Sequence, residues 1–245
     1  MKLFANERID YIGKKELKII QASGLFSFSL DSILLAKFVY VPFQKGKLID
    51  LCSGNGAIPL LLSERTKGHI TGVEIQEKLS DMAKRSVRMN QLENRIDMIC
   101  QDINQLSPEF LDESYDVATC NPPYYKLSEE KDIKTNEWLA GATHELYCTL
   151  EDVVRTMSKL LKNGGKGAIV HRPKRMVELI ELMKAYRLEP KRIQFVHPKK
   201  ESEANIVLIE GTKGGKPGVR ILPPLVVYDE HHEYTSEIKE IVYGQ

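Results

Sequence analysis

Long apolar runs are missing from this chain. None approaches the roughly 20 residues needed to span a bilayer, and Met1 to Asp10 lack the apolar core of a secretory leader. A cytoplasmic protein is the expectation. Cysteine is scarce, and Cys52, Cys100, Cys120 and Cys148 show neither CxxC nor Cys/His spacing. No zinc site and no disulfide framework is therefore indicated, and the thiols are expected as small buried side chains in a reducing compartment. Repeats and low-complexity segments are missing as well. What remains is an ordinary globular composition, 42% hydrophobic and 28% charged over 245 residues, long enough to bury its own core.

Net charge is also nearly absent, at +1, but this hides an asymmetry. Between Arg155 and Arg220 stand 16 Lys and Arg against 6 Glu and no Asp, a balance of +10, so the remainder carries −9. A basic half-surface favours a polyanionic partner.

The stretch Asp116-Val117-Ala118-Thr119-Cys120-Asn121-Pro122-Pro123-Tyr124-Tyr125 reads as a short buried strand stopped by Asn-Pro-Pro-Tyr. Two prolines cannot donate backbone hydrogen bonds, so a central strand cannot continue through them. Each also pushes the residue before it into extended conformations. The result is a stiff loop at the carboxyl end of a strand, where open α/β sheets bind ligands. Its groups suit methylation of the amino nitrogen of a planar amide or amidine, a poor nucleophile because its lone pair is delocalised. The Asn121 side-chain carbonyl and the Pro122 backbone carbonyl can accept the two amino hydrogens, and Tyr124 can stack on the flat substrate.

Residues 1–30 read as irregular or strand-like, with Ile9–Ile12 and Leu25–Phe28 as apolar pieces. A helix follows over Leu30–Val39, capped by Ser29 or Asp31. From Lys47 the pattern alternates: strands over Lys47–Cys52, His69–Glu74, Arg95–Cys100 and Tyr115–Cys120, with helices over Ala57–Arg65 and Gln76–Asn90 and a connector at Leu106–Leu111. Such alternation predicts a parallel sheet covered on both faces. Residues 126–146, with the only tryptophan, Trp138, are expected to be a mobile flap on the substrate side. A capping box at Thr149–Asp152 starts a helix expected to run to Lys162 and to end at Asn163-Gly164-Gly165. A strand over Gly167–His171 and a helix over Pro173–Tyr186 come next. Strands at Arg192–Val196 and Ala204–Ile209 are expected to pair as an antiparallel hairpin at the sheet edge. The tail reads as a linker (Gly211–Gly218), an apolar strand (Ile221–Tyr228) and a helix (Thr235–Tyr243).

Asp50-Leu51-Cys52-Ser53-Gly54-Asn55-Gly56 ends the first strand and opens a helix, and its glycines permit close approach of a ligand. A dinucleotide fingerprint requires a third small residue at position 59, which is Pro59, and the Asp50 carboxylate repels a pyrophosphate. Glu74, about 20 residues on, stands where an acid binds ribose hydroxyls. Asp102 follows the third strand and can accept from the exocyclic amine of an adenine. A cofactor with ribose and adenine but no phosphate meets these demands: S-adenosylmethionine. No metal is required, because the amino group can lose its proton after attack.

In this order, Asp50 to Gly56, Glu74, Asp102 and Asn121 to Tyr124 resemble the motifs of class I S-adenosylmethionine-dependent amino-methyltransferases. The resemblance covers roughly residues 25–210 and implies a Rossmann-like α/β fold: a seven-stranded, mostly parallel sheet with an antiparallel edge hairpin and helices on both faces. A narrower resemblance lies in Phe26–Ala36, in His197-Pro198-Lys199 with Glu203-Ala204-Asn205, and in Lys213–Gly218. Together these look like the bacterial tRNA (adenine-N6) methyltransferases that act beside the anticodon of a valine tRNA. It implies that Phe28 to Asp31 help enclose the methionine end of the cofactor. Cys52 departs from the glycine common there, at little expected cost.

The division expected is a segment 1–45 covering the cofactor site, a methyltransferase domain 46–210, and a tail 211–245 packed on it, in a chain expected to be monomeric. The partner expected is tRNA, with an adenine splayed from a loop and the RNA held by Tyr125, Arg172, Lys174, Arg175, Lys199, Lys200, Lys213 and Lys216, the cations on its phosphates. Alternatives are a protein glutamine, an rRNA guanine or a DNA adenine as substrate, or an RNA-binding protein without catalysis.

Overall fold

The computed structural model describes residues 3–14, 17–23, 28–110, 114–125 and 145–244. The expected flap lies outside them but for its last two residues, as do Leu25, Phe26 and Ser27.

The alternating region folds as the pattern requires. Strands β3 (Lys47–Leu51), β4 (His69–Glu74), β5 (Ile96–Cys100), β6 (Tyr115–Cys120), β7 (Leu161–His171), β8 (Leu188–His197) and β9 (Ile206–Lys213) form one sheet. Its order is β8-β9-β7-β6-β3-β4-β5, and among these seven only β9 runs antiparallel to its neighbours. The strand order reverses between β6 and β3, and the ligand crevice of such sheets opens at that switch point, beyond the strands' carboxyl ends.

Among the described residues two further strands extend the sheet to nine: β10 (Arg220–Ile221) and β11 (Leu225–Val226), both parallel to β8. The tail thus supplies the edge expected of the hairpin. Pro223 and Pro224 lack donors, so the apolar run expected as one strand is split in two. Gly211 to Lys213, read as linker, belong to β9.

Helices cover both faces. On one lie α1 (Leu30–Phe38), α2 (Ala57–Ser63), α3 (Glu77–Met89) and α6 (Ser236–Tyr243); on the other lie α4 (Leu150–Leu160) and α5 (Met176–Ala185). Every residue of α2 is buried, as in a helix pressed between a sheet and other helices. The capping box at α4 forms as read: Thr149 Oγ1 accepts from the Asp152 backbone, and Asp152 accepts from the Thr149 N–H at 3.0 Å. Its end differs. The helix stops at Leu160 because Leu161 turns extended and pairs with Tyr115; Gly164 (φ 84°) then serves a bulge inside β7 instead of a helix cap.

At the amino end, β1 (Glu7–Ile12) and β2 (Leu17–Ala22) make a separate antiparallel hairpin, of which the apolar pattern marks only the first strand. It docks on α3: Ser86 Oγ accepts from Ile20 N–H at 2.9 Å, and Arg85 pairs with Glu7 at 2.5 Å. Among the described residues no helix is long and apolar enough to cross a membrane.

Candidate active site

At the carboxyl ends of β3, β4, β5 and β6 lies an open cleft. Gly54, Glu74, Gln76, Asp102, Asn121 and Pro123 are on its wall. The sequence therefore brings the glycine turn, both acids and the Asn-Pro-Pro turn to one cavity from four separate strand ends.

The turn after β3 is left-handed at Cys52 (φ 55°), Gly54 (φ 55°) and Gly56 (φ 85°). Cys52 carries a β-carbon there, a strain of about 1–2 kcal/mol, more than the small cost expected. Gly56 faces away from the cleft; a β-carbon on it meets the Ala83 β-carbon at 3.0 Å, so its role is to let α2 and α3 pack. Gly54 donates its N–H to Glu74 Oε2 at 2.8 Å, and Gln76 donates its own to Glu74 Oε1 at 2.9 Å. Burial raises the Glu74 carboxyl above the ordinary range, while those backbone donors oppose the rise. Asp102 caps the turn Ile103–Gln105, accepting from Asn104 N–H at 2.8 Å.

Asp50 stands behind this wall, fully buried. It accepts from Thr119 Oγ1 at 2.6 Å and Ser53 Oγ at 2.7 Å. Burial pushes its carboxyl up to about 7. Its direct contact with a ligand, expected from the sequence, is replaced by a role in holding the turn. Three thiols gather beside it: Cys52 and Cys148 on the cleft, Sγ to Sγ 3.7 Å apart, and buried Cys120.

The cleft's polar lining carries the Glu74 and Asp102 carboxylates with the amides of Gln76 and Asn121 and the Tyr147 hydroxyl. Gln76 Oε1 is buried without a partner and belongs to a residue on this wall. With Glu74 and Asp102 it makes a site suited to hydroxyls and an amine, and none of the lining residues is a cation that would welcome a phosphate. This fits a ribose and adenine moiety. Sequence reasoning missed Gln76, whose signal was its place two residues past the strand-end acid.

Asn121 and Tyr124 meet α1. Asn121 Nδ2 lies 3.2 Å from Ser32 Oγ, and the Tyr124 hydroxyl lies 2.7 Å from both Asp31 Oδ2 and Asn121 Oδ1. Burial, then the Asp31 charge, lifts the Tyr124 hydroxyl well above its ordinary pKa. Asp31 thus touches the Asn-Pro-Pro-Tyr turn. Phe28 lines a different groove, with Tyr11 and Tyr243, rather than this cleft. Pro122 is buried, and Tyr125 is 42% exposed. The Tyr124 ring is already engaged: Arg172 sits over it at 4.9 Å and His171 lies 5.2 Å away, tilted. Substrate stacking on Tyr124 therefore competes with Arg172. Ser32 and His171 were not singled out from the sequence.

The basic residues divide by rim. Arg172 and exposed Lys174 follow β7, and Lys199 with exposed Lys200 follows β8, all at the cleft end of the sheet. Arg175 is buried between Glu145 and Glu178, each 2.7 Å away, and is corrected from RNA ligand to structural cation. Lys213 pairs in register with Leu188, where β8 begins, and donates to Ser158 O at 2.9 Å. It and Lys216 belong to the opposite rim, because β9 runs antiparallel; the stretch of β7 paired with β9, Lys166 to His171, puts roughly 17 Å between the rims.

A crevice at the switch point of a doubly covered sheet, with two carboxylates and an unpartnered amide oxygen among its lining residues, defines the class: an α/β enzyme that uses a nucleoside cofactor. Residues 43–213 match the model of the methyltransferase domain family, and the chain belongs to that family. It is similar to the tRNA1(Val) (adenine(37)-N6)-methyltransferases of Histophilus somni (27% identical, 93% of each chain) and Flavobacterium johnsoniae (25%, 91% of this chain and 93% of the relative). Among solved structures, a predicted O-methyltransferase from Agrobacterium tumefaciens shares the fold with TM-score 0.69 and 22% identity, over 86% of this chain and 94% of that one. A geranyl diphosphate C-methyltransferase from Streptomyces coelicolor, in complex with Mg2+, geranyl diphosphate and S-adenosyl-L-homocysteine, follows at 0.57 and 14%, over 74% and 79%. Family and fold agree with the sequence reading of an S-adenosylmethionine-dependent methyltransferase.

Proposed function

We infer that this chain methylates N6 of an adenine in tRNA, with position 37 beside the anticodon of a valine tRNA as the site its curated relatives suggest. The observation that carries the reading is Asn121 on the same cleft wall as Gly54 and Glu74. A nitrogen clamped by Asn121 therefore faces the cavity that fits the donor.

S-adenosylmethionine, when bound, supplies a methyl group on a positively charged sulfur. The chain does the rest. Glu74, Gln76 and Asp102 accept from the ribose hydroxyls and the adenine amine of the cofactor. The Asn121 and Pro122 carbonyls accept the two hydrogens of the target amine and turn its lone pair toward the cleft. The amine releases one proton to solvent once the new N–C bond has formed, so no strong general base is needed. Arg172, Lys174, Lys199 and Lys200 share the cleft's rim and suit a phosphate backbone.

Asn121→Ala tests this. Methyl transfer to tRNA is expected to fall by about 100-fold or more, with the dissociation constant for S-adenosylmethionine, measured by calorimetry, changed less than about threefold. An active variant removes the clamp. Mass spectrometry of tRNA nucleosides from a deletion strain, missing N6-methyladenine at one position, identifies the target base; an unchanged nucleoside profile refutes the tRNA assignment.

A further inference from the structure

We propose that Asp31 is a positioning residue that draws the Tyr124 proton away from Asn121 and so keeps the Asn121 carbonyl open for the substrate's amino group. The inference rests on the clamp role of Asn121 given above and adds what makes that clamp available.

The geometry poses a counting problem. The Tyr124 hydroxyl has one hydrogen, yet two acceptor oxygens lie 2.7 Å from it, Asp31 Oδ2 and Asn121 Oδ1. Only one of them can receive it. Ionised acceptors make the stronger bond, so the hydroxyl donates to the carboxylate. Asn121 Oδ1 is then left facing a hydroxyl oxygen with no hydrogen between them, while Nδ2 of the same amide lies against Ser32 Oγ at 3.2 Å. With Nδ2 donating to Ser32, the amide presents its carbonyl to the Tyr124 hydroxyl. A polar atom in this position lacks a donor, and the exocyclic amine of an incoming base can supply one. Binding then relieves a frustrated contact in the free enzyme instead of displacing a satisfied hydrogen bond.

Packing fixes the arrangement. Asp31 and Ser32 are consecutive residues in the first turn of α1, both buried, and reach across 93 and 89 positions to the turn after β6. Arg172 lies over the Tyr124 ring at 4.9 Å and His171 flanks it. The ring therefore has little freedom to swing its hydroxyl off Asp31. Burial, followed by the nearby Asp31 charge, keeps the hydroxyl protonated, so there is a hydrogen for Asp31 to hold.

The test is a double-mutant cycle on the full chain with Asp31→Asn, Tyr124→Phe and both together, reading kcat, KM for tRNA and S-adenosylmethionine affinity. In Asp31→Asn the carboxylate's advantage is gone, and the hydroxyl proton can occupy Asn121 Oδ1. A fall in kcat of about tenfold or more is expected, with cofactor affinity within about threefold. Tyr124→Phe removes the competing proton and is the background in which the Asp31 substitution is read a second time. The double variant should recover to the Tyr124→Phe level, a rescue that a merely structural Asp31 would not give. A double variant as slow as Asp31→Asn, or slower, overturns the proposal. So does a Tyr124→Phe variant as inactive as Asn121→Ala, a result that needs no folded Asp31 variant and would mean that Tyr124 serves Asn121 directly. The two readings fail separately. Transfer to a nitrogen other than adenine N6 would sink only the substrate assignment, since the cycle can be read on that nitrogen; an active Asn121→Ala would sink both.

Discussion

Replacing Asp50 with asparagine tests the energetics beneath the cleft. The carboxyl is fully buried and raised from 3.8 to about 7, first by burial; Thr119 and Ser53 hydroxyls oppose the rise, and the charge on Glu74 adds to it. A folded-state pKa above the unfolded one means that the native protein holds this proton more tightly than the unfolded chain does. Its contribution to stability is therefore full in acid, below the unfolded value, and is lost as pH rises through the folded value. The window runs from about pH 4 to about pH 8. The separation between 3.8 and about 7 corresponds to roughly 4 kcal/mol, at about 1.4 kcal/mol for each tenfold change in proton affinity. Asparagine is neutral throughout, so Asp50→Asn lacks the loss. Its amide also forces one hydroxyl to turn from donor to acceptor, an offset that is the same at every pH. Urea unfolding of both proteins at several pH values separates these effects. The variant should gain on the wild type by roughly 4 kcal/mol between about pH 4 and about pH 8. Parallel stability curves would refute the dominance of burial at Asp50.

Two further outcomes test the division of the cations by burial and by rim. Arg175→Ala leaves the buried Glu145 carboxylate without its partner and should cost about 3–5 kcal/mol in urea unfolding; a loss below about 1 kcal/mol would show that the pair is solvated. Lys199→Ala with Lys200→Ala should flatten the dependence of tRNA affinity on salt by about one unit of log slope for each phosphate no longer neutralised, whereas Lys213→Ala with Lys216→Ala should leave it unchanged. Equal effects from both pairs would contradict the division by rim.

Much of the cleft was legible because strand-end chemistry is local. Asp50–Gly56, Glu74, Asp102 and Asn121 each sit at the end of a strand whose apolar pattern is plain, and parallel pairing brings those ends together. The capping box at Thr149 was legible for the same reason, being four consecutive residues. What escaped was decided at a distance. Whether Leu161 continued a helix or began a strand depended on Tyr115, far away in the chain. The hydrogen bonds that tie Asp31 and Ser32 to Tyr124 and Asn121 span 93 and 89 positions, which no periodicity reports. Charge counting found the basic segment but was blind to strand direction, so Lys213 and Lys216 were grouped with Lys199 and Lys200. It was equally blind to Arg175 being neutralised by Glu145.

The tail strands also bear on how copies of the molecule behave toward one another. A strand as long as β8, ten residues, with a bare flank is a template on which a second chain can add itself. Leu222 and Val227 instead donate their N–H groups to the carbonyls of Ile193 and His197 along that flank. Gln194 spends its amide on Pro223, in the gap where the prolines have no hydrogens to give. The flank of β8 is thus occupied from within, and a second copy meets two strands of two residues each where ten would otherwise stand open.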